Sequence, residues 1–240
     1  MLLSFLLALV LAAPHSLPRQ DPREATALGS HEAMARPFQS GGPDITASPS
    51  IPPPAKPDSR SAFAQLANGK QPFLDSDREP ADFLPEIIAE VPGNSDVVLL
   101  LDQTASMGDD IERIREEFEA LRKALEAKPG VRFGAVTFSD LKKRGGYGYR
   151  AFPLSRDFDA VDGFLKEVML IGSIEDVHGA LMRTMQTFKW RPGAPRLLIV
   201  ISDEGPALPP DSDYTAADVL AKARSSNPPA QIQPIRIQRD

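Results

Sequence analysis

The stretch Asp96-Val-Val-Leu-Leu-Leu-Asp-Gln-Thr-Ala-Ser-Met-Gly108 constrains the chain more than any other. Val97 to Leu101 is an unbroken apolar run, far short of the ~20 residues that cross a bilayer as a helix. It reads as a strand covered on both faces, which in turn predicts a parallel sheet packed between helices. At its carboxyl end the polarity changes at once. Asp102, Thr104 and Ser106 place three oxygen side chains where the strand hands over to a helix beginning near Asp109. In open α/β sheets that crevice is where ligands bind, and the helix amino terminus adds amide donors and partial positive charge.

Downstream the pattern repeats the strand and helix alternation. Ile111, Ile114, Phe118, Leu121 and Leu125 recur at spacings of three and four, which predicts one amphipathic helix over 109–127, closed by Pro129-Gly130. Its charged residues, the Glu119 and Lys123 pair included, read as a solvated face. Val131–Ser139 reads as a second strand and Tyr147–Pro153 as a third. The short turn between them suits an antiparallel edge, since a parallel partner needs a long crossover. Helices follow over 157–169 and 174–189, then Arg196-Leu-Leu-Ile-Val-Ile-Ser-Asp203, a second fully apolar strand that ends in an acid. A helix over 215–225 and a strand over 232–237 close the series. Pro234 removes a ladder donor, so that strand is expected at the sheet edge.

Two core strands thereby deliver carboxylates to one edge of the sheet. Asp102, Thr104, Ser106 and Asp203 form a set of hard oxygen donors with no sulfur or imidazole, which suits magnesium, with manganese or calcium as alternatives. Such an open site leaves room for a carboxylate from another molecule. Helix capping by Thr104 and Ser106, and a turn cap by Asp203, is the alternative use of the same side chains. His178 reads as a packed or solvent-facing residue of its helix, and the methionines there as core.

The rest of the chain bounds the setting. Fourteen of the 24 prolines lie between Pro14 and Pro92, so residues 14–93 read as a largely disordered tether, with 94–240 as the domain. Two apolar clusters in the tether, Ala62–Ala67 and Asp82–Glu90, are open to either docking on the domain or transient structure. Met1–Ala13 has the length and composition of a signal-peptide core, which predicts an exported protein touching a membrane only through that signal. The net charge of −6 offers no phosphate-binding surface, so nucleic acid is excluded as an expected partner. With no cysteine in the chain, disulfides and thiolate chemistry are excluded outright.

Asp102-Gln-Thr-Ala-Ser106 resembles the D-x-T/S-x-S motif of von Willebrand factor type A domains, and Leu197–Gly205 is similar to their later strand ending in an acid. The resemblance covers 94–240 and implies a metal-ion-dependent adhesion site on a Rossmann-like sheet. Asp102, Thr104 and Ser106 would be its first ligands and Asp203 its distal acid. It implies a further ligand on the loop Ile171-Gly-Ser-Ile-Glu-Asp176, for which Ser173 is the candidate. It also implies a further strand and closing helix beyond the point, Asp240, where this sequence stops, so the last edge is expected either to lie open for pairing or to be covered by the tether. The function expected is a non-enzymatic, cation-dependent binding domain whose metal shell is completed by a partner's Asp or Glu. A metal-free interaction scaffold is the first alternative. A haloacid-dehalogenase-like phosphotransferase, with Asp102 as nucleophile, is the second, though residue 104 is threonine where that family has its general acid.

Overall fold

Residues 96 to 102 are buried without exception, and they form β2 (Asp96–Asp102) at the heart of the sheet in the computed structural model. The structure describes residues 58–67, 74–76, 78–142 and 148–238. The signal-like segment at 1–13 and the proline-rich chain to residue 57 lie outside these. Strand β2 lies between two parallel neighbours, β3 (Arg132–Phe138) and β5 (Arg196–Ser202), each in continuous register with it. Alternate side chains serve opposite faces. Val97, Leu99 and Leu101 join one apolar cluster, while Val98 and Leu100 join the other. A run buried on both faces has no polar beat, which is why the sequence shows none.

The first cluster is covered by α3 (Gly108–Glu116), α4 (Phe118–Glu126) and α5 (Phe158–Lys166). The second is covered by α6 (Val177–Thr187) and α7 (Ala216–Ser225). Asp157 and Asp176 cap α5 and α6, and Thr215 with Asp218 forms a capping box on α7, each satisfying amides that a helix start leaves open. The hairpin expected after the second strand is present, with β4 (Tyr149–Ser155) antiparallel to β3. The single helix expected over 109–127 is two. Glu117 leaves helical geometry at φ −106° and ψ 13°, yet Ile114 and Phe118 on either side both remain buried, so the bend keeps the apolar stripe inward without a proline or glycine to announce it.

The amino-terminal side departs further from the sequence expectation. From Asp58 onward the described chain is not a tether but part of the fold, in α1 (Ser59–Ala67), β1 (Leu74–Ser76) and α2 (Pro80–Glu90). Phe63 and Leu66 of α1 are sealed into the second cluster, and Phe83, Leu84 and Ile88 of α2 into the first. Fully burying side chains of this size is worth roughly 1.5–3 kcal/mol each, enough to hold short helices that would not persist alone. Of the two readings left open for the clusters at 62–67 and 82–90, docking is the one found, and the described fold extends upstream of residue 94.

Strand β6 (Ala230–Ile237) was expected at the edge and is not. It pairs with β5 along its length and with β1 over Ile235–Ile237, giving the order β1-β6-β5-β2-β3-β4. Pro234 sits just ahead of the stretch that β1 covers. Arg236 fixes the junction, donating to Ser59 Oγ at 2.8 Å and to Asp75 Oδ1 at 2.8 Å. Of the two outcomes expected for that edge, the covered one is found: β1 pairs with β6 over Ile235–Ile237. At the opposite end of β2, buried Asp96 receives Arg132 and Arg191 through four hydrogen bonds of 2.7–2.9 Å, one from the Arg191 backbone amide. That cluster pins the amino ends of the core strands.

Candidate metal site

Parallel register brings the carboxyl ends of β2 and β5 side by side, because Leu101 pairs with Ile201. The next residues, Asp102 and Ser202, touch: Ser202 Oγ donates to Asp102 Oδ2 at 2.6 Å. The other carboxylate oxygen, Oδ1, accepts the Thr104 backbone amide at 2.8 Å. Both oxygens are held, and the side chain is fully buried. Asp203 follows directly, with Oδ1 shut off from solvent.

The chain beyond Asp102 turns through a 3-10 segment, Ala105–Met107, before α3 begins. Neither Thr104, at the start of that turn, nor Met107, at the start of α3, makes a side-chain capping bond. The capping use of Thr104 is therefore not taken up. Its Oγ1 instead faces Ser106 Oγ at 3.3 Å. Thr104 is buried while Ser106 is exposed, so the hydroxyl pair runs from the interior to the surface.

Burial pushes the Asp102 carboxyl up to about 6. The bonds from Ser202 and Thr104 pull it down, and the nearby charge of Asp203 pushes it up again. Among the described residues no Lys, Arg or His forms an ion pair with Asp102. A buried carboxylate beside a second acid is costly unless a positive charge compensates it. The donor set here, two acids and two hydroxyls, is all hard oxygen and fits a small divalent cation.

The loop expected to add a ligand runs close by, since the Ile171 amide donates to Gln103 O at 2.8 Å. Gly172 adopts a left-handed φ of 92°, and a Cβ there would lie 3.0 Å from Ser139 at the end of β3. Only glycine permits both that conformation and that approach. Ser173 is exposed on the following residue. Asp176 is buried and accepts Gly179 N at 2.9 Å and Ser212 Oγ at 2.6 Å, an arrangement that fixes the start of α6. His178 is packed inside α6, and burial holds its imidazole below the ordinary value. In the turn between β3 and β4, Lys142 pairs with Asp213 at 2.8 Å; residues 143–147 lie outside the described chain.

Ser202 is the participant that sequence reasoning passed over. Its signal was positional, one residue ahead of Asp203 and level with Asp102 once the two apolar strands are aligned.

The family model of the von Willebrand factor type A domain matches residues 96–228. The chain belongs to that family. The alpha-protein kinase vwkA of Dictyostelium discoideum is 30% identical over 114 residues, covering 45% of this chain and 18% of that protein. Among solved structures, the pilus adhesin SpaC of Lactobacillus rhamnosus GG in its open conformation is 18% identical, with 55% of this chain and 16% of that chain covered, at a TM-score of 0.37. A second form of the same adhesin is 16% identical, with 57% and 17% covered, at 0.39. The chain spans less than a fifth of the length of each of these relatives. A von Willebrand type A domain is a protein-interaction fold, and in this one the turn after β2 carries Asp102, Thr104 and Ser106.

Proposed function

We propose that this von Willebrand type A domain is an exported, non-enzymatic binding module that captures a protein partner through a divalent cation, magnesium first and manganese or calcium as substitutes. Asp102, Thr104 and Ser106 hold the cation, Asp203 serves as the distal acid, and Ser173 is the candidate ligand from the neighbouring loop. The observation that carries the reading is the Asp102 carboxylate. It is buried, oriented at both oxygens and set beside a second acid, an arrangement that leaves negative charge for a cation to balance. When bound, the ion supplies an open coordination position that a partner's Asp or Glu completes. Ser106 is exposed, which supports entry of that carboxylate past its hydroxyl.

Calorimetry on chelator-stripped protein tests the proposal. Magnesium or manganese is expected to bind with one-to-one stoichiometry, with heat abolished in Asp102→Ala and weakened in Asp203→Ala. Absence of heat and of any thermal shift in the wild type would leave the metal-free scaffold as the reading.

A further inference from the structure

Beside the oxygen site stand two side chains that the cation has no use for. Met169 and Leu170 are the two exposed large hydrophobics among the described residues, at 49% and 48% exposure. Single exposed hydrophobics are ordinary. These two are consecutive, and their backbone is held from several sides. Arg115 Nε donates to Leu165 O at 2.9 Å and its Nη2 donates to Val168 O. Arg150 Nη1 donates to Glu167 O at 2.7 Å, and the Ile171 amide reaches Gln103 O. Two arginines and the turn after Asp102 therefore fix the loop on both sides of the exposed pair.

A Cβ placed on Gly108 would lie 3.1 Å from Leu170 Cδ1, so the leucine rests against the start of α3, two residues beyond Ser106. Leu170 therefore flanks the turn on which Ala105 and Ser106 are exposed. Rigid presentation matters because an interface gains most from contacts that need no further ordering.

Building on the cation reading above, we infer that Met169 and Leu170 form an apolar specificity shelf beside the metal site, and that the partner is an acidic segment whose Asp or Glu lies within one or two residues of a large apolar side chain. The carboxylate completes the cation shell and the apolar neighbour covers Leu170 and Met169. Charge at the metal and an uncharged apolar ledge next to it together select that pairing over acidic or apolar sequence alone.

A displayed library of random 12-residue peptides, panned on the full chain in magnesium and in chelator, tests this. Enriched peptides are then measured against wild type, the double variant Met169→Ser/Leu170→Ser, and Asp102→Ala. Support requires enriched peptides that carry an acid next to a large apolar residue and lose on the order of tenfold affinity in the double variant, the usual scale of an interface anchor. Magnesium heat in that variant stays unchanged, showing that the fold and site persist. Acidic peptides without apolar preference, or a double variant that binds them as well as wild type, overturn the shelf and leave the cation reading standing. Enrichment indifferent to chelator and to Asp102→Ala overturns both. No enrichment at all rules out a linear acidic segment as the partner.

Discussion

Replacing Asp102 by asparagine should make the metal-free domain more stable at neutral pH, because the ionised carboxylate is a burden in the absence of a cation. The carboxyl is held at about 6 against an ordinary 3.8. Each pH unit of that displacement is worth about 1.36 kcal/mol, so ionised Asp102 costs the folded state about 3 kcal/mol. For a carboxyl raised in the folded state, the native protein holds a proton that the unfolded chain has released. Stability therefore falls as pH rises between about 4 and 6, and stays low above. Asparagine fits the existing network. Its oxygen accepts the Thr104 amide, its NH2 donates to Ser202 Oγ, and the Ser202 hydroxyl proton turns to Glu204 O, already 3.2 Å away. The assay is urea or thermal unfolding in chelator. Asp102→Asn should gain about 3 kcal/mol over wild type at pH 7.5, roughly 6–12 °C for a domain of this size, and close to nothing at pH 3.5. Magnesium should raise wild type by about 2.7 kcal/mol at a hundredfold excess over its dissociation constant and leave the variant unmoved. A variant destabilised equally at both pH values would refute the reasoning.

Four further outcomes follow from other parts of the molecule. Asp96→Ala strands Arg132 and Arg191 and should cost about 3–5 kcal/mol in chemical denaturation, while magnesium affinity at the far end of β2 is retained. Phe63→Ala should cost about 3–5 kcal/mol; a loss below 1 kcal/mol would mean that α1 is not part of the cooperative unit. Gly205→Ala places a methyl 2.9 Å from the Ser59 backbone and should cost about 1–3 kcal/mol through displacement of α1, seen as faster proteolysis near residue 59. His178, kept neutral by burial, contributes stability that is present above about pH 6.5 and lost as pH falls. Its NMR titration midpoint should lie below that of a free histidine.

The interior of the sheet was readable because burial on both faces leaves unbroken apolar runs at 97–101 and 197–201, each followed within two residues by an acid, Asp102 or Asp203. Strand β3 and its hairpin were readable from β-branched residues and a turn too short for a crossover. What escaped depends on partners distant in sequence. Phe63 and Leu66 look the same in a loose linker as in a docked helix, and only Val98, Leu198 and their neighbours across the sheet decide which. Ser202 looked like the tail of a strand until register set it opposite Asp102. The bend at Glu117 has no local marker at all. For the candidate site, residue types pointed to Asp102, Thr104, Ser106 and Asp203, whereas the loop carrying Met169 and Leu170 is held by arginines from α3 and β4.

Strand β1 finds its mate about 160 positions later, with Asp75 and Arg236 separated by 161. Residues translated early must wait, exposed, until the final strand has emerged before they can settle. Closure of so long a span is entropically slow, so chaperone dependence during synthesis should concentrate on α1 and β1, which pack on β6, rather than on α2, which packs on α4. A chain pulled from its amino-terminal side would lose α1 and then the three-residue β1 before force reached the turn after Asp102.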